Sequence, residues 1–135
     1  MTLAPPALPV LISEGGTDFG NTLATAFALP LSAVVTGRVG GTDQADWFAI
    51  DMPTGGRLSL RLDGLSSDID LQLLNATGAV VRSSVAGSTT PESILADLAP
   101  GLWHVRAYPW SGSSDYRLSV EVLTPQEGTP GNDTI

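Results

Sequence analysis

The chain contains no cysteine, which removes disulfides, thiolate zinc sites, iron–sulfur clusters and cysteine nucleophiles. Stability must therefore come from packing or from oxygen-ligated metal. Lysine is also missing: all six basic residues are arginines, set against fourteen acids for a net charge of −8. Nucleic acid and anionic membrane are poor partners for such a chain, because both are gripped by clustered cations that displace counterions. No apolar run approaches the ~18 to 20 residues of a membrane span, and the opening Met1-Thr2-Leu3 lacks the cationic start of a secretory signal. Either the chain is cytosolic or its export signal lies elsewhere.

What is present points to one folded domain. The 135 residues match the ~100 to 150 of a single compact domain. Leu, Ile, Val and Phe number 36, above the roughly one-fifth share below which a charged chain stays disordered. Residues 1–13, with Pro5, Pro6 and Pro9, read as a linker, residues 14–124 as the domain, and residues 125–135 as a second linker and tail. Leu58, Leu60 and Leu62 alternate with Arg57, Ser59, Arg61 and Asp63, the period of two that marks a half-buried strand. Seven similar segments recur between residues 34 and 123, separated by turn formers such as Gly40-Gly41, Gly55-Gly56, Asn75 to Gly78 and Pro100-Gly101. With no long helical period between them, the prediction is an all-β, antiparallel, jelly-roll-like β-sandwich of about eight strands. Its expected core includes Phe48, Ile50, Leu58, Leu60, Leu62, Ile69, Leu71, Leu73, Trp103, Val105, Tyr116, Leu118, Val120 and Val122. Segment 22–29 fits helix and strand templates equally and is expected to be irregular.

Catalytic signals are weak. The single histidine, His104, reads as a solvated strand residue, and no Gly-x-Ser-x-Gly elbow marks an activated serine. Asp68 and Asp70 share a strand face and read as a solvated strand end. No enzymatic activity is expected. The acids are more informative collectively, because residues 41–70 hold six Asp against two Arg. Asp43 and Asp46 flank Gln44-Ala45 in a loop entering a strand, where two carboxylates and adjacent carbonyls can converge on a hard cation. Asp18 and Asn21 are further oxygen donors, with Glu14 behind them. Ordinary turn residues capping their own backbone are the open alternative. Tyr108 and Trp110, with His104 near them in sequence, form an aromatic group that could stack on a sugar or grip a peptide, or serve loop packing.

Four ordered segments, 37–50 (GRVGGTDQADWFAI), 67–74 (SDIDLQLL), 100–107 (PGLWHVRA) and 115–120 (DYRLSV), resemble the bacterial pre-peptidase C-terminal domain across roughly residues 14–123. The resemblance implies a β-sandwich accessory module of secreted proteins, often appended to proteases, that serves export, stability or attachment. Some members are similar to collagenase binding domains, in which calcium lies between an N-terminal acidic segment and an Asp-x-x-Asp loop. Asp43 and Asp46 match that loop, and Asp18 and Asn21 match the acidic segment more loosely. The tail from Gly128 to Ile135 resembles the start of an RTX-type calcium-binding nonapeptide repeat, which implies type I secretion through a distal C-terminal signal. The expectation is a non-catalytic, calcium-binding, secreted module, monomeric in isolation. The alternative is an adhesion module for polysaccharide or extracellular protein that uses Tyr108 and Trp110.

Overall fold

A computed structural model describes residues 10–13, 19–20, 22–41 and 44–123. Ten strands form two five-stranded sheets: β1 (Val10–Ser13), β2 (Phe27–Leu29), β3 (Ser32–Gly40), β4 (Asp46–Met52), β5 (Gly56–Asp63), β6 (Ile69–Leu74), β7 (Val80–Ser84), β8 (Glu92–Leu98), β9 (Gly101–Pro109) and β10 (Ser113–Leu123). One sheet has the order β1-β3-β10-β5-β8 and the other β2-β4-β9-β6-β7. The predicted alternation of β5 is realised, with Leu58, Leu60 and Leu62 buried. Leu60 lies opposite Val120 on β10 and Ile94 on β8, so three neighbouring strands present aliphatic side chains at one level. From the other sheet, Phe48, Leu73 and Val105 are brought into register by the pairings of β9 with β4 and β6. Both inner faces merge in a single apolar cluster, the sandwich core. Each fully buried Leu, Ile or Phe contributes roughly 1.5 to 3 kcal/mol. Trp103 and Val122, expected inside, are only partly buried against that cluster.

The sheets are mixed rather than purely antiparallel. β1 pairs with β3 and β2 with β4 in parallel, and these two short edge strands raise the count from about eight to ten. β1 falls within the stretch read as a linker: the prolines end at Pro9, and Val10 to Ser13 are free to donate to β3. Segment 22–29 is a 3-10 turn over Leu23–Thr25 followed by β2, so it contains both helical and extended structure. At the opposite side of the sandwich, β8 of the first sheet contacts β6 and β7 of the second. That closure positions the site described next. The β6–β7 hairpin is fixed by Asn75, whose Oδ1 accepts from the N–H groups of Thr77 and Ala79, while Gly78 supplies the positive φ of 90° that the turn requires.

Candidate functional site

Among the expected calcium ligands, Asp18, Asn21 and Asp43 lie outside the described residues, as does Glu14, and Asp46 is described. Asp46 opens β4 and is fully buried, and the Tyr116 hydroxyl donates to its Oδ2. Tyr116 is held in turn by its position across the β3–β10 pairing from Gly37, where a Cβ would stand only 2.5 Å from the Tyr116 hydroxyl oxygen. Next to Asp46, the Trp47 N–H donates to the Gly20 carbonyl at 2.8 Å. Phe19 packs on Phe27 and Phe48. The described residues between Asp18 and Asn21 thus meet β4 beside Asp46.

Tyr108 and Trp110 are brought together. They line one cleft of about 370 Å³ with Asp68, Asp70, Val85 and Gly87. Trp110 is 74% exposed, and Val85 is exposed beside it. The N–H groups of Trp110 and Ser111 both donate to the Asp68 carbonyl, at 2.8 and 3.3 Å, which fastens the end of β9 to the entry of β6. On its other side Tyr108 stacks against the Arg106 guanidinium, 4.3 Å from the ring centre, and burial together with Asp70 raises the Tyr108 pKa. His104 is not part of this cleft. It is buried rather than solvated, and its Nδ1 lies 3.1 Å from the Asn75 carbonyl, which can only accept, so Nδ1 carries the proton. Asn75, in the β6–β7 turn, supplies the partner that a buried imidazole needs.

Asp68 and Asp70 do not form a solvated strand end. Asp70 is 3% exposed and Asp68 half-buried. Glu92, which is 0% exposed, joins them: one carboxylate oxygen from each of the three lies within 4.8 Å of the other two. Glu92 Oε1 accepts from the Ser84 hydroxyl at 2.6 Å and the Ala86 N–H at 2.9 Å. Burial pushes the Asp70 carboxyl up to about 6, with the Asp68 and Glu92 charges adding to the effect. The chain segment from Ser84 to Glu92 that links the sheets carries Val85 and Gly87 of the cleft wall, and it supplies the cover that local alternation cannot reveal.

The two-sheet fold agrees with the comparison to known families, in which the bacterial pre-peptidase C-terminal domain pattern matches residues 44–129. The chain belongs to that family. Pre-peptidase C-terminal domains are C-terminal modules of secreted proteases and related proteins. No curated protein matches the sequence significantly. Among solved structures, the pre-peptidase C-terminal domain of collagenase from Bacillus anthracis superposes with a TM-score of 0.62 at 17% identity, covering 71% of this chain and 94% of its own. The Yersinia pseudotuberculosis-derived mitogen gives 0.51 at 20% identity, covering 75% and 93%. At these identities the likeness concerns the fold alone. Sequence reasoning on this pre-peptidase C-terminal domain missed Glu92, although a signal was present: extending the alternation of Ile94, Ala96 and Leu98 back one step places Glu92 on the apolar face.

Proposed function

We propose that this pre-peptidase C-terminal domain is a non-catalytic accessory module of a secreted, multidomain bacterial protein, and that it binds calcium through Asp43 and Asp46 with Asp18 and Asn21. The ion would tie the N-terminal segment to the sandwich and so aid stability, export or attachment. The observation that carries this reading is the position of Asp46. A fully buried carboxylate stands at the start of β4, next to the backbone bond that joins Gly20 to Trp47. A hard oxygen donor so placed suits calcium, which takes six to eight oxygens, carboxylates and carbonyls among them. The tail from Gly128 to Ile135 is in keeping with an RTX-type parent and type I secretion. The test is thermal melting in calcium, magnesium and chelator, on wild type and on Asp43→Ala with Asp46→Ala. Calcium at ~100 times its dissociation constant adds about 2.7 kcal/mol to the wild type. Magnesium substitutes poorly, because it demands tighter octahedral geometry. Equal melting of the wild type in calcium and chelator, with no heat of binding, would refute the reading.

A second reading, adhesion to polysaccharide or extracellular protein, is favoured by the exposed Trp110 sharing a cleft with Tyr108. Binding to a glycan or collagen that is lost on Trp110→Ala would support it.

A further inference from the structure

We propose that Asp68, Asp70 and Glu92, where β6 of one sheet meets the edge strand β8 of the other, hold a calcium ion that opens onto the Tyr108–Trp110 cleft. Three observations converge on it.

The first is geometric. Calcium–oxygen distances of 2.3 to 2.6 Å let two ligands on opposite sides of one ion stand up to ~5 Å apart. Oxygens from the three carboxylates lie within 4.8 Å of one another, inside that limit. The second is the state of the three carboxylates. Asp68 Oδ1, Asp70 Oδ1 and Glu92 Oε2 are all buried and have no hydrogen-bond partner among the described residues. Asp70 and Glu92 are more than nine-tenths buried as whole residues. A buried carboxylate oxygen without a donor is costly, and a cation that meets all three at once removes the cost. Glu92 is already aimed, since Ser84 and Ala86 hold its Oε1 in place.

The third is charge compensation. The chain has no lysine, and four of its six arginines pair elsewhere: Arg38 with Asp115, Arg57 with Asp97, and Arg61 and Arg117 with Asp63. Arg106 bonds Gln72 and stacks on Tyr108, and Arg82 bonds the Val81 carbonyl. Among the described residues no ion pair reaches the three acids. All ligands are carboxylates, with neither imidazole nor thiolate, which selects a hard ion over zinc or copper. The cleft on one side leaves room for water to complete the six to eight ligands calcium takes.

Terbium, a luminescent stand-in for calcium, reads the site directly, because Trp110 and Tyr108 line the cleft and can transfer excitation to a bound ion. The metal-stripped chain is titrated with terbium and then with calcium as competitor, near neutral pH. Expected are tryptophan-sensitised emission that calcium displaces, at least a tenfold loss of affinity in Asp70→Asn with Glu92→Gln, and a smaller loss in Asp68→Asn, whose half-buried position makes it the safer variant to fold. Trp110→Phe dims this emission without weakening binding, which separates the site from one near Asp46, where Trp47 would be the donor. Asp43→Ala with Asp46→Ala leaves it intact. The proposal is overturned if wild type gives no sensitised emission, if emission and affinity are unchanged in Asp68→Asn and in the double variant, or if Glu92→Gln merely raises the melting temperature while wild type binds no metal, which would mean that shared protons neutralise the acids.

Discussion

Replacing Tyr116 by Phe removes one atom, and its effect can be worked from the structure. Tyr116 is 2% exposed, and its hydroxyl donates to Oδ2 of the fully buried Asp46. A hydrogen bond to a charged group is worth ~1.5 to 3 kcal/mol net, so Tyr116→Phe is expected to destabilise the domain by about 2 kcal/mol. For a domain of this size each kcal/mol moves the melting temperature by roughly 4 °C, giving a drop of about 8 °C in thermal melting or an equivalent shift of the urea midpoint. Gly37 offers an independent route to the same contact. A Cβ there would meet the Tyr116 hydroxyl oxygen at 2.5 Å and Cζ at 2.7 Å, so Gly37→Ala must push the ring off Asp46. The two changes disrupt one contact, and the double variant should cost less than the sum of the singles by at least ~0.5 kcal/mol. A Tyr116→Phe protein that melts within ~1 °C of wild type would show that the hydroxyl contributes nothing. Strict additivity would show that Gly37 does not act through Tyr116.

Leu60→Ala, at a side chain 1% exposed between Val120 and Ile94, should cost ~2 to 5 kcal/mol in denaturant unfolding; a loss under ~1 kcal/mol would mean the core is loosely packed. In chelator, Asp70 sets a pH slope of definite sign. Its carboxyl titrates at about 6 in the fold against an ordinary 3.8, so the folded state binds that proton more tightly, and the stability it contributes is complete below about pH 4 and lost as pH rises through 6. Relative to Asp70→Asn, the wild type should lose up to about 3 kcal/mol over that window, and parallel pH profiles for the two proteins would contradict the burial argument. Trp110→Ala, at a residue 74% exposed, should leave stability within ~0.5 kcal/mol of wild type, so any binding it abolishes is a contact effect; a melting shift of several degrees would instead assign Trp110 to loop packing.

The parts of the fold that were legible share a cause: their signal is local. Leu58, Leu60 and Leu62 announce β5 because alternation is decided by residues two apart, and one face is buried whatever the partner strand. β1 and β2 gave no such signal. β1 has four residues, none of them buried, and β2 has three with only Leu29 buried. Both are defined by parallel pairing with a strand more than twenty residues away, Val10 with Ala33 and Phe27 with Phe48. Edge strands of this kind are selected by the backbone donors of the neighbour rather than by their own side-chain pattern.

The acids divide along the same line. Asp46 could be singled out because it lies in an Asp-x-x-Asp spacing, a property of four consecutive residues. Asp70 reads as solvated because alternation puts Asp68 and Asp70 on one strand face, opposite Ile69 and Leu71, and within β6 alone that reading is reasonable. What hides Asp70 is another part of the chain: Val85 and Gly87 in the segment joining β7 to β8, with Glu92 beyond them. Glu92 in turn extends an apolar face, in register with Leu62 on β5, so it cannot turn toward solvent without breaking the pairing of β5 with β8. Two sheets, each folding by its own alternation, thus carry carboxylates to one place between β6 and β8 where neither strand pattern would keep them. Such a convergence is destabilising unless the acids are neutralised, either by protons, as the raised pKa of Asp70 favours, or by a cation from outside at the site proposed above.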